Sequence, residues 1–103
     1  MFHGVEKVAQ GRLDLYNLVT HHPDATFFVR YEGEDLDEYS ICTNDILVID
    51  RSVEARVGNI IVAQQENDFV VLKYDGRVAS DAILWGVISY VVHSLVCKKF
   101  SHL

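Results

Sequence analysis

The sequence predicts a mostly β fold, a small curled β domain with one short N-terminal helix. Two observations favour this class. After Pro23 the apolar residues fall into short runs that are separated by turn residues such as Asp75-Gly76, a spacing typical of short β-strands. Half of the 103 residues are apolar and 11% are aromatic, which is enough to build one packed core.

The N-terminal part is predicted to hold an arm and a helix. Residues 1–11 show no sustained period and are expected to form a flexible arm ahead of a single domain over 12–103. A short helix is expected over Leu13–Val19, with Asp14 as its cap. His22-Pro23 ends it, because the residue before proline disfavours helical geometry.

Five strands are expected after the helix. They are the runs 27–31, 46–49, 60–63, 69–74 and 83–92. The second run is apolar throughout, as in a strand buried on both faces, and the third and fourth are joined by a segment of hairpin length. Gly86 interrupts the last run and indicates a bulge or bend.

The charge and composition of the chain argue against several classes of protein. The net charge is −6 and the pI is near 5.2, whereas phosphate contacts require Lys and Arg, so direct nucleic-acid binding is not expected. Cys42 and Cys97 have no metal-ligand spacing and are expected to be reduced thiols. No run is long enough to span a membrane and no signal peptide is seen, so a soluble cytoplasmic protein is expected.

An acidic loop is the most charged segment. Glu32, Glu34, Asp35, Asp37 and Glu38 crowd it, but their spacing is not that of a calcium-binding loop. A solvated loop is therefore expected. The histidines are adjacent in one pair or isolated, so neither a metal site nor a cofactor is predicted.

Six segments of the chain carry a family resemblance, in order and in step. They are His22–Val29, Gly33–Leu36, Ile46–Ser52, Gly58–Ala63, Asn67–Lys73 and Trp85–Val92. Together, over roughly residues 13–95, they resemble the LexA/UmuD family of self-cleaving serine–lysine peptidases, and most of all its shortened UmuD' form. The resemblance implies the curled β fold of that family's C-terminal domain.

The same resemblance implies that the catalytic machinery is missing. The serine position is held by Asp35 and the lysine position by Leu72, and neither side chain can supply the hydroxyl or the neutral amine of the family's chemistry. Lys73 is one residue away, but strand alternation points it to the opposite face from Leu72. Ser40 and Thr43 are expected to be turn hydroxyls. The chain is accordingly expected to be a degenerate peptidase and not an enzyme.

The function implied is that of a non-catalytic accessory protein of the DNA-damage (SOS) response. It would be a homodimer that binds a translesion (Y-family) DNA polymerase, the recombinase filament, or both. The candidate partner and dimer surfaces comprise Glu34, Asp35, Asp37 and Glu38 in the loop and Val87, Ile88, Tyr90 and Val92 in the last strand. The short segment ahead of the domain suggests a protein made already in the processed form.

Three alternatives remain open from the sequence. The chain could be an antagonist that forms mixed dimers with an active LexA/UmuD relative or blocks its cleavage. It could be an enzyme that has found a new use for Asp35. It could also be a plain assembly module that retains only the fold.

Overall fold

The computed structural model describes Gly4 and residues 13–96, so the predicted arm over 1–11, apart from Gly4, lies outside the described residues, as do Cys97, His3 and His102. The described elements are α1 (Leu15–Val19), a 3₁₀ turn (Pro23–Ala25), β1 (Thr26–Arg30), a second 3₁₀ turn (Asp37–Tyr39), β2 (Ile46–Asp50), β3 (Ile60–Gln65), β4 (Asp68–Lys73) and β5 (Ala82–Val92). The predicted fold class is confirmed: the described residues form one antiparallel sheet and a single short α-helix.

Helix α1 begins as its sequence predicts. The Asp14 carboxylate accepts a hydrogen bond from the Asn17 N–H at 3.2 Å, which satisfies one of the unpaired donors of the first turn. The helix stops at Val19, before the His22-Pro23 pair, and Val19 is its buried residue. Among the described residues, no helix has the length and apolar character that crossing a membrane requires.

The strand order in the sheet is β1-β2-β5-β3-β4. Strand β5 therefore lies at the centre and pairs with β2 along its second half and with β3 along its first half. The register shifts at two points of β5, opposite Val48/Ile49 and opposite Val62/Ala63. Such bulges bend a strand, and here they let one long strand serve two neighbours.

Strand β2 forms the middle of the core, as its continuous apolar run predicts. Leu47, Val48 and Ile49 are all buried. Gly86 of β5 is required beside it, because a Cβ at that position would lie 2.6 Å from Ile49 Cγ2. The predicted irregularity at Gly86 thus coincides with a close approach of two strands.

Alternation along the strands gives the sheet two distinct faces. The front face carries Leu47, Ile49, Val62 and Val71, and the back face carries Val48, Asp50, Ile61 and Leu72. On the front face, the segment between β1 and β2 packs Leu36, Tyr39 and Ile41 against the core. On the back face, Tyr16 of α1 packs against Phe28 of β1, with ring centroids 5.7 Å apart.

Candidate functional site

The acidic loop between β1 and β2 is closed at its base by backbone hydrogen bonds. The Tyr31 N–H donates to the Asp45 carbonyl at 2.8 Å, and the Asn44 N–H donates to the Tyr31 carbonyl at 2.6 Å. Inside the loop, Leu36 and Ile41 form a bridge that fixes the second 3₁₀ turn. The backbone conformation of the loop is therefore fixed by internal hydrogen bonds.

Asp35 lies on this loop with its side chain exposed. Its Oδ1 atom accepts a hydrogen bond from the Thr43 N–H at 2.8 Å, across the loop. This hydrogen bond connects the first half of the loop, which carries Asp35, to the second half, which carries Thr43. The contact gives Asp35 a structural role in the loop.

The carboxylates of the loop affect the pKa of the neighbouring tyrosine, Tyr31. Burial, and then the charges of Glu34 and Asp35, raise the pKa of Tyr31 above its ordinary value. The Tyr31 hydroxyl also donates to the Glu34 carbonyl at 2.6 Å. Tyr31 is therefore held in the protonated, hydrogen-bonding form beside the acidic loop.

Leu72 and Lys73 lie at the end of β4, which is an edge strand. Leu72 pairs with Ile61 and belongs to the back face, whereas Lys73 pairs with Ile60 and belongs to the front face. The Lys73 N–H donates to the Tyr39 hydroxyl at 3.3 Å, so the turn that follows Asp35 lies against the end of β4. The polar contact of Asp35 is with Thr43, and the ladder turns Leu72 toward the face opposite from the one that the loop covers.

A cleft of about 670 Å³ opens on the front face. Its walls come from the end of β1 and the start of the loop on one side and from β4 on the other, and β2 and β3 form its floor. The lining is mainly apolar, with Arg30 and Glu32 among its charged members. A cleft of this shape and chemistry suits an extended or helical peptide segment with apolar side chains.

An aromatic cluster borders this cleft. Trp85 lies 5.3 Å from Phe27 and 5.5 Å from Phe69, measured between ring centroids, and so bridges the two edge strands. The Arg51 guanidinium sits 4.3 Å above the Trp85 ring and donates to the Trp85 carbonyl at 2.8 Å. Phe27 and Phe69 remain exposed, so the cluster offers apolar area at the surface as well as holding the sheet.

The predicted surface in the last strand divides into buried and accessible residues. Val87 is only 5% exposed and belongs to the core of its own chain, and Ile88 is half-buried against the front-face cluster. Tyr90 and Val92 are exposed on the back face, and Leu95 and Val96 beyond them are more exposed still. Because β5 is central, it offers this side-chain surface and not a free backbone edge.

Sequence reasoning missed two buried acids that lie at the two ends of β2. Asp50 lies 2.6 Å from His22, between Asp50 Oδ2 and His22 Nδ1, and Asp45 lies 2.7 Å from His93, between Asp45 Oδ1 and His93 Nδ1. The partners are far apart in sequence, and the histidines looked isolated or merely adjacent to each other. Knowledge of the pairing between β2 and β5 would have revealed the second pair, since Ile46 lies opposite Val92.

The acid at the C-terminal end of β2 is well satisfied. Ser52 donates to Asp50 Oδ1 from its N–H at 2.9 Å and from its hydroxyl at 2.7 Å. Burial opposes the ionisation of Asp50, but the bonds from Ser52 and His22 outweigh it and lower the pKa of Asp50 below its ordinary value. Asp50 is therefore a charged, structural residue that ties β2 to the segment before β1.

The fold and the loop place the chain in a known class of proteins. Residues 3–82 match the model of the Peptidase S24-like family, and the chain belongs to that family. The expected relationship to LexA/UmuD-type proteins is thereby confirmed, while the loss of both catalytic positions stays a prediction.

Individual relatives agree with this assignment. The chain is 39% identical to Protein MucA of Salmonella typhimurium over 72 residues, which cover 66% of this chain and 49% of MucA. It is 28% identical to Protein ImpA of Salmonella typhimurium over 102 residues, covering 82% of this chain and 70% of ImpA. It is 32% identical to the LexA repressor of Shewanella woodyi over 56 residues, covering 54% of this chain and 27% of the repressor. The chain thus spans about half the length of MucA.

Proposed function

We propose that this chain is a non-catalytic, UmuD-like accessory protein that acts as a homodimer in the DNA-damage (SOS) response. Its partner is a translesion DNA polymerase, the recombinase filament, or both. The observation that carries the proposal is Asp35: at the position that resembles the family's serine, this family member has a carboxylate that is bonded to the Thr43 N–H.

The chemistry of the two positions supports the absence of peptidase activity. A carboxylate at Asp35 cannot form the ester intermediate of a serine peptidase, and Leu72 has no group that could accept a proton. Lys73 lies on the same face as the loop, but its side chain is exposed to solvent and not enclosed beside a hydroxyl.

Mass spectrometry of the purified chain tests this part of the proposal. We expect the chain to keep its full mass during incubation with a recombinase filament on single-stranded DNA. Appearance of a discrete fragment would contradict the proposal. Loss of that fragment in Lys73→Ala, with Lys99→Ala as the matched control, would identify Lys73 as the base.

The acidic loop supplies the proposed partner surface. Glu34, Asp37 and Glu38 are exposed on a loop whose backbone is fixed by internal bonds, so binding would cost little ordering entropy. Reversing two charges (Asp37→Lys with Glu38→Lys) should remove the electrostatic complementarity to a basic partner. The matched control is Glu54→Lys with Glu66→Lys, which makes the same change of charge at exposed sites outside the loop.

Affinity capture from cells with damaged DNA measures the effect. We expect a Y-family polymerase or the recombinase to be recovered with the wild-type and control chains, and recovery to fall about ten-fold with the loop variant. Recovery of an active LexA/UmuD relative alone, together with inhibition of its cleavage on co-expression, would replace this proposal with the antagonist. Recovery of an unrelated protein alone would overturn both.

The accessible part of the last strand supplies the proposed dimer surface. Tyr90 and Val92 neighbour each other on the back face and continue into the exposed Leu95 and Val96. A small domain gains stability from covering such a surface with a second copy. Sedimentation at tens of micromolar should show a dimer for the wild type and a monomer for Tyr90→Glu with Val92→Glu. Val57→Glu, at a valine that is 74% exposed elsewhere, is the control and should stay dimeric. A monomeric wild type would contradict the dimer.

A further inference from the structure

Three potential metal ligands of different chemistry meet at the N-terminal end of β2. They are Cys42, Asp45 and His93, and one ligand atom from each lies within 4.8 Å of the others. Cys42 is a free thiol and is half-buried, Asp45 is buried, and His93 is accessible from solvent. The sequence alone had not grouped them, because His93 is 48 positions from Asp45.

A tight turn brings the first two ligands together. The Asp45 N–H donates to the Cys42 carbonyl at 3.0 Å, and the Cys42 N–H donates to Asp45 Oδ2 at 2.8 Å. Asn44 takes the left-handed conformation that this turn requires, with φ of 75°. These bonds fix the backbone of the turn, and the second one also orients the Asp45 carboxylate.

The sheet register brings the third ligand to the turn. Ile46 is the first residue of β2 and lies opposite Val92, the last residue of β5. The residues just beyond this pair, Asp45 and His93, are consequently neighbours, and His93 Nδ1 lies 2.7 Å from Asp45 Oδ1. The side chain of Asp45 is only 1% exposed, so its carboxylate is held in place.

We propose that Cys42, Asp45 and His93 form a binding site for a divalent transition-metal ion of the zinc class. Thiolate, imidazole and carboxylate are the ligands that zinc takes in proteins, and a tetrahedral ion holds its ligand atoms about 3.2–3.8 Å apart. The ion takes the place of the hydrogen bond between His93 Nδ1 and Asp45 Oδ1, with the neutral imidazole carrying its proton on Nε2, and it displaces the proton of the Cys42 thiol to solvent. Three protein ligands leave one position open for water or for a group from a partner.

Cobalt titration tests the site, because a thiolate bound to Co²⁺ gives a charge-transfer absorption in the near ultraviolet. The full chain without an affinity tag, kept reduced, should bind one Co²⁺ with this band, and Zn²⁺ should displace it. The band should vanish in Cys42→Ser, and affinity should fall about ten-fold or more in His93→Gln. Circular dichroism of each variant checks that it is folded.

Two matched controls decide whether the named residues are the ligands. Cys97→Ser removes the other thiol of the chain, and His21→Gln changes an exposed histidine that contacts Tyr90. Both should keep the band and the affinity of the wild type. The proposal is overturned if the wild type gives no band, if the band survives in Cys42→Ser, or if His93→Gln binds as tightly as His21→Gln. His93→Gln, at an exposed position, keeps the test valid should Cys42→Ser fail to fold.

Discussion

The two ends of β2 hold similar aspartate–histidine pairs beside different third residues, Ser52 at one end and Cys42 at the other. At each end a buried aspartate lies within 2.7 Å of a histidine Nδ1. Beyond that pair, Asp50 receives two bonds from Ser52, whereas Asp45 receives the Cys42 N–H and lies beside the Cys42 thiol. A hydroxyl completes a structural network at one end, while a thiol makes the other end suitable for a metal ion. The third neighbour, Ser52 or Cys42, is thus what distinguishes the proposed metal site from the structural pair.

The largest effect on stability is expected from removing the carboxylate of Asp50, which is bonded to Ser52 and His22. Asp50→Ala leaves the Ser52 donors and His22 without their acceptor in a buried place, which should cost about 2–3 kcal/mol of the free energy of unfolding. Urea denaturation measures the loss. Glu54→Ala, at an exposed acid nearby, should change stability by less than about 0.5 kcal/mol. Equal values for the two variants would show that the Asp50 network contributes nothing.

Zinc should raise the free energy of unfolding by a comparable amount, and the gain should depend on His93 at one end of β2 and not on His22 at the other. At a free concentration about 100 times its dissociation constant, an ion that binds only the folded chain adds about 2.7 kcal/mol to the free energy of unfolding. We expect this gain in the wild type and in His22→Gln, and its loss in His93→Gln. If the gain is lost in His22→Gln and kept in His93→Gln, the metal binds at the other end of β2 and the proposed site is wrong.

Lowering the pH should reduce the free energy of unfolding by a smaller amount, and part of this loss should come from protonation of Asp50. Since the pKa of Asp50 is lowered in the fold, its contribution to stability is fully present above the unfolded pKa of about 3.9 and is lost as pH falls through the folded pKa. Asp50→Asn cannot take up that proton, so its stability should decline less steeply below about pH 4. Urea midpoints between neutral pH and pH 3 check this, and parallel curves for the two proteins would contradict it.

The sequence predicted the strands well because burial leaves a local signal. The run Ile46–Ile49 is apolar at every position, and Asp14 is followed by the helix that it caps. The order of the strands leaves no such signal: it places β5 between β2 and β3, and only the resulting register makes Asp45 and His93 neighbours. The same limit applies to Asp35 and Leu72, whose side-chain directions depend on the loop and on the ladder of β4.

The surface predictions show a related limit. Val87, Ile88, Tyr90 and Val92 form one apolar band in the sequence, yet the bulges of β5 and its central place send Val87 into the core and leave Tyr90 and Val92 accessible. An apolar strand that is buried on both faces and one that carries an interface have the same composition. Only the packing of neighbours separates them.

The central place of β5 also has a consequence for biosynthesis. Strands β2 and β3 are not paired with each other and are joined in the sheet only through β5, which follows both along the chain. During translation the hairpin of β3 and β4 and the pair of β1 and β2 can form early, but they remain two separate ribbons until residues 82–92 leave the ribosome. Completion of the native sheet is thus a late, long-range event, and a nascent chain stalled before Ala82 would present two unsatisfied strand edges to chaperones and proteases.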